Sequence, residues 1–114
     1  MNRRAVGAAY EAAAAAYLEK LGYRILERNF RCARGEIDLI AERDGYLVFI
    51  EVKYRKNSGA GYPEEAVDER KRQALGRAAR AYLAQNGLLE KPCRFDVVSV
   101  SGDRVRVIEN AFWL

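Results

Sequence analysis

Asp38, Glu51 and Lys53 are the residues of this chain best suited to chemistry, because each interrupts a segment otherwise apolar enough for a protein core. Residues 35–41 read Gly-Glu-Ile-Asp-Leu-Ile-Ala, and residues 47–53 read Leu-Val-Phe-Ile-Glu-Val-Lys. Side chains alternate faces along a strand, so Glu51 and Lys53 share a face, as do Glu36 and Asp38. Ionised groups in a strand interior are costly unless they are paired or bind a metal. An aspartate on one strand facing Glu-x-Lys on the next is a donor set for metal-dependent phosphodiester chemistry. The carboxylates hold a hard cation, and the lysine handles a water or a phosphate oxygen. A cross-strand salt bridge without chemistry is the plainer explanation. Two charged pairs in adjacent apolar strands favour the site.

The elements that would position these residues can be read along the chain. Residues 5–21 form a helix, with Val6, Tyr10, Ala13 and Tyr17 at helical spacing and Ala14, Leu18 and Leu21 widening the stripe. Glu11 lies on the flank of that stripe beside Ala14, Ala15 and Leu18, where it can point at the sheet edge; an exposed helix glutamate is an equal alternative. Gly22 suits the position just past the helix end. Residues 23–30 are a first strand, with Tyr23, Ile25 and Glu27 on one face, and residues 31–34 a turn. Residues 35–42 and 46–54 are two strands joined by the three-residue connection Arg43-Asp44-Gly45. On the second strand Ile37, Leu39 and Ala41 line one face, opposite Glu36, Asp38 and Ile40. On the third, Val48, Ile50 and Val52 form an apolar face, whereas the other changes from Leu47 and Phe49 to Glu51, Lys53 and Arg55. Antiparallel pairing about Asp44 brings Asp38 near the level of Glu51, within reach of a shared cation.

Residues 56–63 are expected to be a loop. A second helix starts after Pro63 or at Asp68, a good cap, and runs to Asn86-Gly87. Residues 93–100 and 104–109 read as two further strands. The expected fold is therefore α/β (α+β), in the order α-β-β-β-α-β-β, with a mixed central sheet flanked by helices. The whole of 1–114 forms one domain. On the second helix Arg70, Gln73, Arg77 and Arg80 fall on one face; Lys71, Ala74, Leu75, Ala78 and Tyr82 fall on others, the last four packing. A basic stripe is usually a solvated face, but beside a nuclease cleft it could track a phosphate backbone. Arg55 and residues 57–61 could clamp a substrate, and Tyr54 is read as a packing residue.

Composition narrows the chemistry. The chain has 114 residues, 50% hydrophobic and 32% charged, and a net charge of +4 that mildly favours a polyanionic partner. It has no histidine, which removes Ser-His and Cys-His catalysis, histidine-dependent nucleases and histidine zinc sites. Cys32 and Cys93 lack metal-site spacing and read as two semi-buried thiols, with a disulfide left open. No apolar run approaches the roughly 18 residues that span a bilayer, and the start lacks a signal-peptide core, so a cytoplasmic location is expected. Phe112 and Trp113 either belong to an interface or, as favoured here, fold back onto the core.

The residues quoted from 35–41, with Val48-Phe49-Ile50-Glu51-Val52-Lys53-Tyr54-Arg55, closely resemble the YraN family of bacterial proteins. The likeness also takes in Gly7, Glu11-Ala12, Asn29-Phe30-Arg31, Lys71 and residues 94–98, Arg-Phe-Asp-Val-Val. That family resembles a branch of the PD-(D/E)xK nucleases, close to Holliday-junction resolvases. The resemblance implies a restriction-endonuclease-like core, with Asp38, Glu51 and Lys53 in the motif positions and Glu11 as a helix-borne acid. Ile37 stands where the motif's proline would be. Mg²⁺, with Mn²⁺ as substitute, would be held by Asp38, Glu51, Glu11 and the backbone carbonyl of Val52. Arg55, Arg70, Lys71, Gln73, Arg77 and Arg80 would contact nucleic acid.

The leading expectation is an endonuclease acting on DNA, with branched or otherwise structured DNA as a candidate substrate. One alternative is a nucleic-acid-binding or scaffold protein with the nuclease fold and little activity; another is an RNA nuclease. Symmetric cleavage of a four-way junction would require two active sites, hence a homodimer.

Overall fold

The computed structural model describes residues 3–33, 35–55, 68–102 and 104–112, and only the backbone at 3–6 and 55. The elements are α1 (Arg3–Lys20), β1 (Arg24–Cys32), β2 (Gly35–Arg43), β3 (Tyr46–Arg55), α2 (Glu69–Gln85), β4 (Cys93–Ser101) and β5 (Arg104–Ile108). This is the α-β-β-β-α-β-β order expected from the sequence. The strands form one mixed sheet in the order β1-β2-β3-β4-β5. Neighbours are antiparallel except β3 and β4, which are parallel across the α2 connection. No helix among the described residues is long and apolar enough to cross a membrane. Residues 56–67, which include the expected loop at 56–63, lie outside the described residues.

Each helix covers one sheet face. Beneath α1, Ala14, Ala15 and Leu18 pack on Leu39, Ala41, Val48, Ile50, Val98 and Val100. Beneath α2, Leu75, Ala78, Ala79 and Tyr82 pack on Ile37, Ile40, Leu47, Phe49 and Val97. The buried stripe of α1 is rotated from the expected one, because Ala13 and Tyr17 are exposed and Ala15 is buried. The unbroken run Ala12–Ala16 offers no hydrophobic contrast by which to choose a face. Gly22, at φ +98°, ends α1 in a left-handed turn in which the Tyr23 and Gly22 amides cap the Leu18 and Glu19 carbonyls. At the head of α2, the Asp68 carboxylate accepts the Lys71 amide at 2.9 Å, so Asp68 is the start, not Pro63.

Three local expectations are corrected. Arg43 pairs with Tyr46, so the β2–β3 loop has two residues, Asp44 and Gly45, not three. Both have positive φ (52° and 82°), which matches the strand twist. Leu26 is an extra residue between Ile25 and Glu27 in β1, and Glu27 is exposed rather than sharing a face with Tyr23 and Ile25. Ile37 joins the cluster beneath α2, whereas Leu39 and Ala41 join that beneath α1, so β2 does not alternate cleanly through Asp38. Phe112 folds back, buried, onto Phe95 at 5.0 Å; Trp113 lies outside the described residues. Cys32 and Cys93 are free and half-buried.

Gly35, which opens β2, lies close against α2. A Cβ there would stand 2.6 Å from the Ala74 carbonyl oxygen, a backbone atom that cannot swing away. Gly35→Ala is therefore expected to lower unfolding stability by about 1–3 kcal/mol through overpacking. Urea denaturation measures it, and an unchanged midpoint would show that α2 yields without strain.

Candidate functional site

The site lies where the sheet forks. Pairing of β2 with β3 ends at Leu39 and Ile50, although β2 stays with β1 down to Gly35 and Cys32, and β3 stays with β4 to Arg55 and Ser101. One step beyond the last β2–β3 pair, Asp38 and Glu51 come level. There the Val52 amide, which has lost its ladder partner, donates to Asp38 Oδ2 at 2.8 Å. The carboxylate thus replaces a backbone acceptor at the mouth of the fork.

Glu51 is buried, and its Oε1 lies 3.4 Å from Lys53 Nζ and 3.4 Å from Lys71 Nζ. The expected change from apolar to charged on one face of β3 is present: Leu47 and Phe49 are core, whereas Glu51, paired with Lys53, meets Lys71 from α2. Glu11 reaches the cluster from α1. Its Oε1 is buried and has no hydrogen-bond partner among the described residues. Burial raises the Glu11 pKa, and the charges of Glu36 and Glu51 add to the effect; Arg31 and a hydrogen bond to Asn29 oppose it. Burial also pushes Asp38 up to about 7, reinforced by Glu51 and Glu11 and opposed by the Val52 amide and Lys71. Three carboxylates from α1, β2 and β3 therefore sense one another's charge.

Of the residues singled out from sequence, Glu11, Asp38, Glu51 and Lys53 come together. Lys71, read as lying off the basic stripe and expected to contact nucleic acid, joins them through Glu51. The spacing Lys71, Leu75, Ala78, Tyr82 puts it in line with the buried stripe of α2, a signal that could have found it. Asn29, at φ 55°, and Arg31 attend Glu11, a role that sequence reasoning missed. Arg70, Gln73, Arg77 and Arg80 are exposed on α2 as expected. Gln73 is bonded to Glu69 at 3.2 Å. Arg77 and Arg80 border an open groove with Cys32, Ala33, Ala81 and Ala84. The Arg55 side chain lies outside the described residues.

The donor set suits a hard divalent cation in chemistry: it is all oxygen, its members repel one another, and one buried oxygen lacks a partner. Among the described residues, however, no three such groups stand close enough together to enclose an ion. Two lysine ammonium groups occupy the Glu51 carboxylate instead.

Over residues 10–100 the chain matches the model of an uncharacterised protein family, UPF0102. The chain belongs to that family. It is 50% identical over 113 residues to the UPF0102 protein of Lachnoclostridium phytofermentans, covering 98% of this chain and 96% of that one. Identity to the UPF0102 protein of Moorella thermoacetica is 52% over 118 residues, covering 98% of each. To that of Geobacter sulfurreducens it is 42% over 118 residues, covering 99% and 92%. The UPF0102 match therefore extends from the residue before Glu11, through the fork, to the end of β4.

Proposed function

We propose that this protein is a divalent-metal-dependent endonuclease that hydrolyses DNA, with branched or structured DNA as its substrate. The observation that carries this reading is the convergence of Glu11, Asp38 and Glu51 at the fork, with Lys53 and Lys71 on Glu51. Asp38, Glu51 and Glu11, with the Val52 carbonyl, would hold Mg²⁺ or Mn²⁺. When bound, such an ion stabilises negative charge on the phosphoryl and leaving oxygens.

The chain's own groups do the rest. The Val52 amide fixes the Asp38 carboxylate through its 2.8 Å bond. Lys53 turns from Glu51 to orient the attacking water and donate to a phosphoryl oxygen as charge develops. Lys71 keeps part of the carboxylate charge neutralised while Glu51 reorients. Attack forms a bond from water oxygen to phosphorus and breaks the bond to the leaving sugar oxygen; the proton the water gives up to solvent is matched by the one the leaving oxygen takes from it. The exposed Arg70, Gln73, Arg77 and Arg80 supply backbone contacts.

Calorimetric titration with Mn²⁺, beside cleavage assays on single-stranded, duplex, flapped and four-way DNA and on RNA, tests this reading. Binding requires Asp38 to lose a proton, so with a pKa of about 7 affinity should fall about tenfold from pH 8 to pH 6. The second reading, a nucleic-acid-binding or scaffold protein with little activity, draws on the two lysines already neutralising Glu51. Failure of either metal to bind, with no cleavage of any substrate, would decide for it. Cleavage of RNA alone would make the protein a ribonuclease.

A further inference from the structure

Tyr54, which follows Lys53 on β3, stands at the margin of the core with part of its ring in solvent. Strand alternation puts it on the α1 face of the sheet, beyond Val48, Ile50 and Val52. The three apolar residues belong to the core beneath α1 or pack against it; Tyr54 does neither and is 41% exposed. Its ring lies flat on that of Tyr10, with centroids 3.9 Å apart and planes 22° from parallel. Tyr10 is half-buried against the core, and the hydrogen bond its hydroxyl donates to Tyr54 is the main cause that raises its pKa, with burial next. Tyr10 is thus a fixed base and Tyr54 a ring held in place by it.

The position of the pair is as informative as its geometry. Tyr10 precedes Glu11 on α1, so the stack lies on the side of the sheet from which Glu11 reaches the cluster, whereas strand alternation turns the Lys53 side chain to the opposite face. An aromatic ring left partly in solvent near groups that would hold a phosphate can hold an unpaired base: every base has a π-face, and a paired, stacked base cannot offer it. A duplex contacts its partners mainly through phosphates and has no free face for such a ring.

We infer that the Tyr10–Tyr54 stack is a platform for an unpaired nucleobase of DNA next to the phosphate held by the cluster. The substrate is then a single-stranded segment, or the single-stranded arm of a branched molecule, rather than continuous duplex. This rests on the nuclease reading for where the phosphate sits, but base stacking can be measured without cleavage.

The test is binding of a fluorescein-labelled oligo-dT strand and of a blunt duplex, in EDTA and again with Ca²⁺, by anisotropy. Wild type should prefer the single strand. Tyr54→Ala should weaken single-strand binding about tenfold, the loss of one stacked base, and duplex binding less than about twofold. Tyr54→Phe keeps the ring and should stay within about twofold of wild type for both. A strand carrying 2-aminopurine should be quenched by wild type and Tyr54→Phe but not by Tyr54→Ala, with thermal melts confirming that all three are folded. No preference for the single strand, no binding at all, or equal losses for both ligands in Tyr54→Ala would each overturn the inference. Cleavage with Mn²⁺ is scored separately, so an inactive protein that still stacks bases would sink the nuclease reading and leave the platform standing.

Discussion

Replacing Asp38 by asparagine should abolish cleavage and, at the same time, make the metal-free protein more stable at pH 8. Asparagine is isosteric, and its oxygen can still accept the Val52 amide that Asp38 Oδ2 holds at 2.8 Å. What it removes is a negative charge that would bind metal. Losing several kcal/mol of transition-state charge stabilisation, at about 1.4 kcal/mol per decade, lowers the rate on the order of a thousandfold.

The stability gain follows from linkage. Asp38 is pushed from an ordinary carboxylate value to about 7, by burial first and then by Glu51. Below about pH 4 it is protonated in both folded and unfolded chains and contributes no penalty. Between there and pH 7 the folded protein holds a proton that the unfolded chain has released, so stability falls as pH rises. Above pH 7 the penalty is complete. Its ceiling is about 4 kcal/mol at 1.36 kcal/mol per pKa unit, and relaxation around Lys53 and Lys71 reduces the expected gain in Asp38→Asn to about 1–3 kcal/mol. Urea unfolding of both proteins from pH 4 to pH 8 should show the curves diverging as pH rises. Parallel curves would mean that Asp38 is not an electrostatic burden. Full activity in the variant would remove it from the chemistry.

Asp96→Ala should have the larger effect on folding. The Asp96 side chain is fully buried, and every one of its partners is a donor. Its Oδ1 accepts from Arg94 Nε at 3.0 Å and from the Asn110 amide at 2.9 Å. Its Oδ2 accepts from the Tyr23 hydroxyl at 2.7 Å and Arg94 Nη2 at 3.0 Å. Arg43 stacks over the same tyrosine, 4.6 Å from the ring centroid. Burial and the neighbouring Asp96 hold the Tyr23 hydroxyl at about 12, so it stays a donor at any working pH. One carboxylate thus joins β4 to Tyr23, the residue before β1, and to the turn after β5. Its removal leaves the Arg94 guanidinium uncompensated and should cost about 3–5 kcal/mol, read by urea or thermal unfolding. A loss below about 1 kcal/mol would show that the network contributes little.

The two halves of the problem were unequally legible. Hydrophobic period, Asp-Gly in the hairpin, Gly22 and Asp68 are local signals, and each acts through backbone geometry within a few residues. They give the order of elements and most boundaries. The level of Asp38 with Glu51 comes from the two-residue loop, which pairs Arg43 with Tyr46; the three-residue connection expected from the sequence would set Asp38 against Ile50, one residue away. The buried face of α1 was not legible, since one alanine is chemically the same as the next. Nor was the fork: Ile37 and Leu39 differ in destination because β3 leaves β2, an event decided by what β4 and α2 pack against.

Residue types and short-range spacing thus established which groups were available for chemistry: carboxylates and lysines, no histidine, and a pair brought near level by a turn. Only the packed fold decided which of them meet. Glu11 arrives from a helix on one face of the sheet and Lys71 from a helix on the other, separated by 60 positions in sequence. No local preference encodes that distance; it is settled when the two apolar stripes are buried against opposite sides of one sheet. Burial then gives Asp38 its high pKa and leaves Glu11 Oε1 without a partner among the described residues. Both depend on loss of water around a charged group, which occurs only once the chain has closed over it.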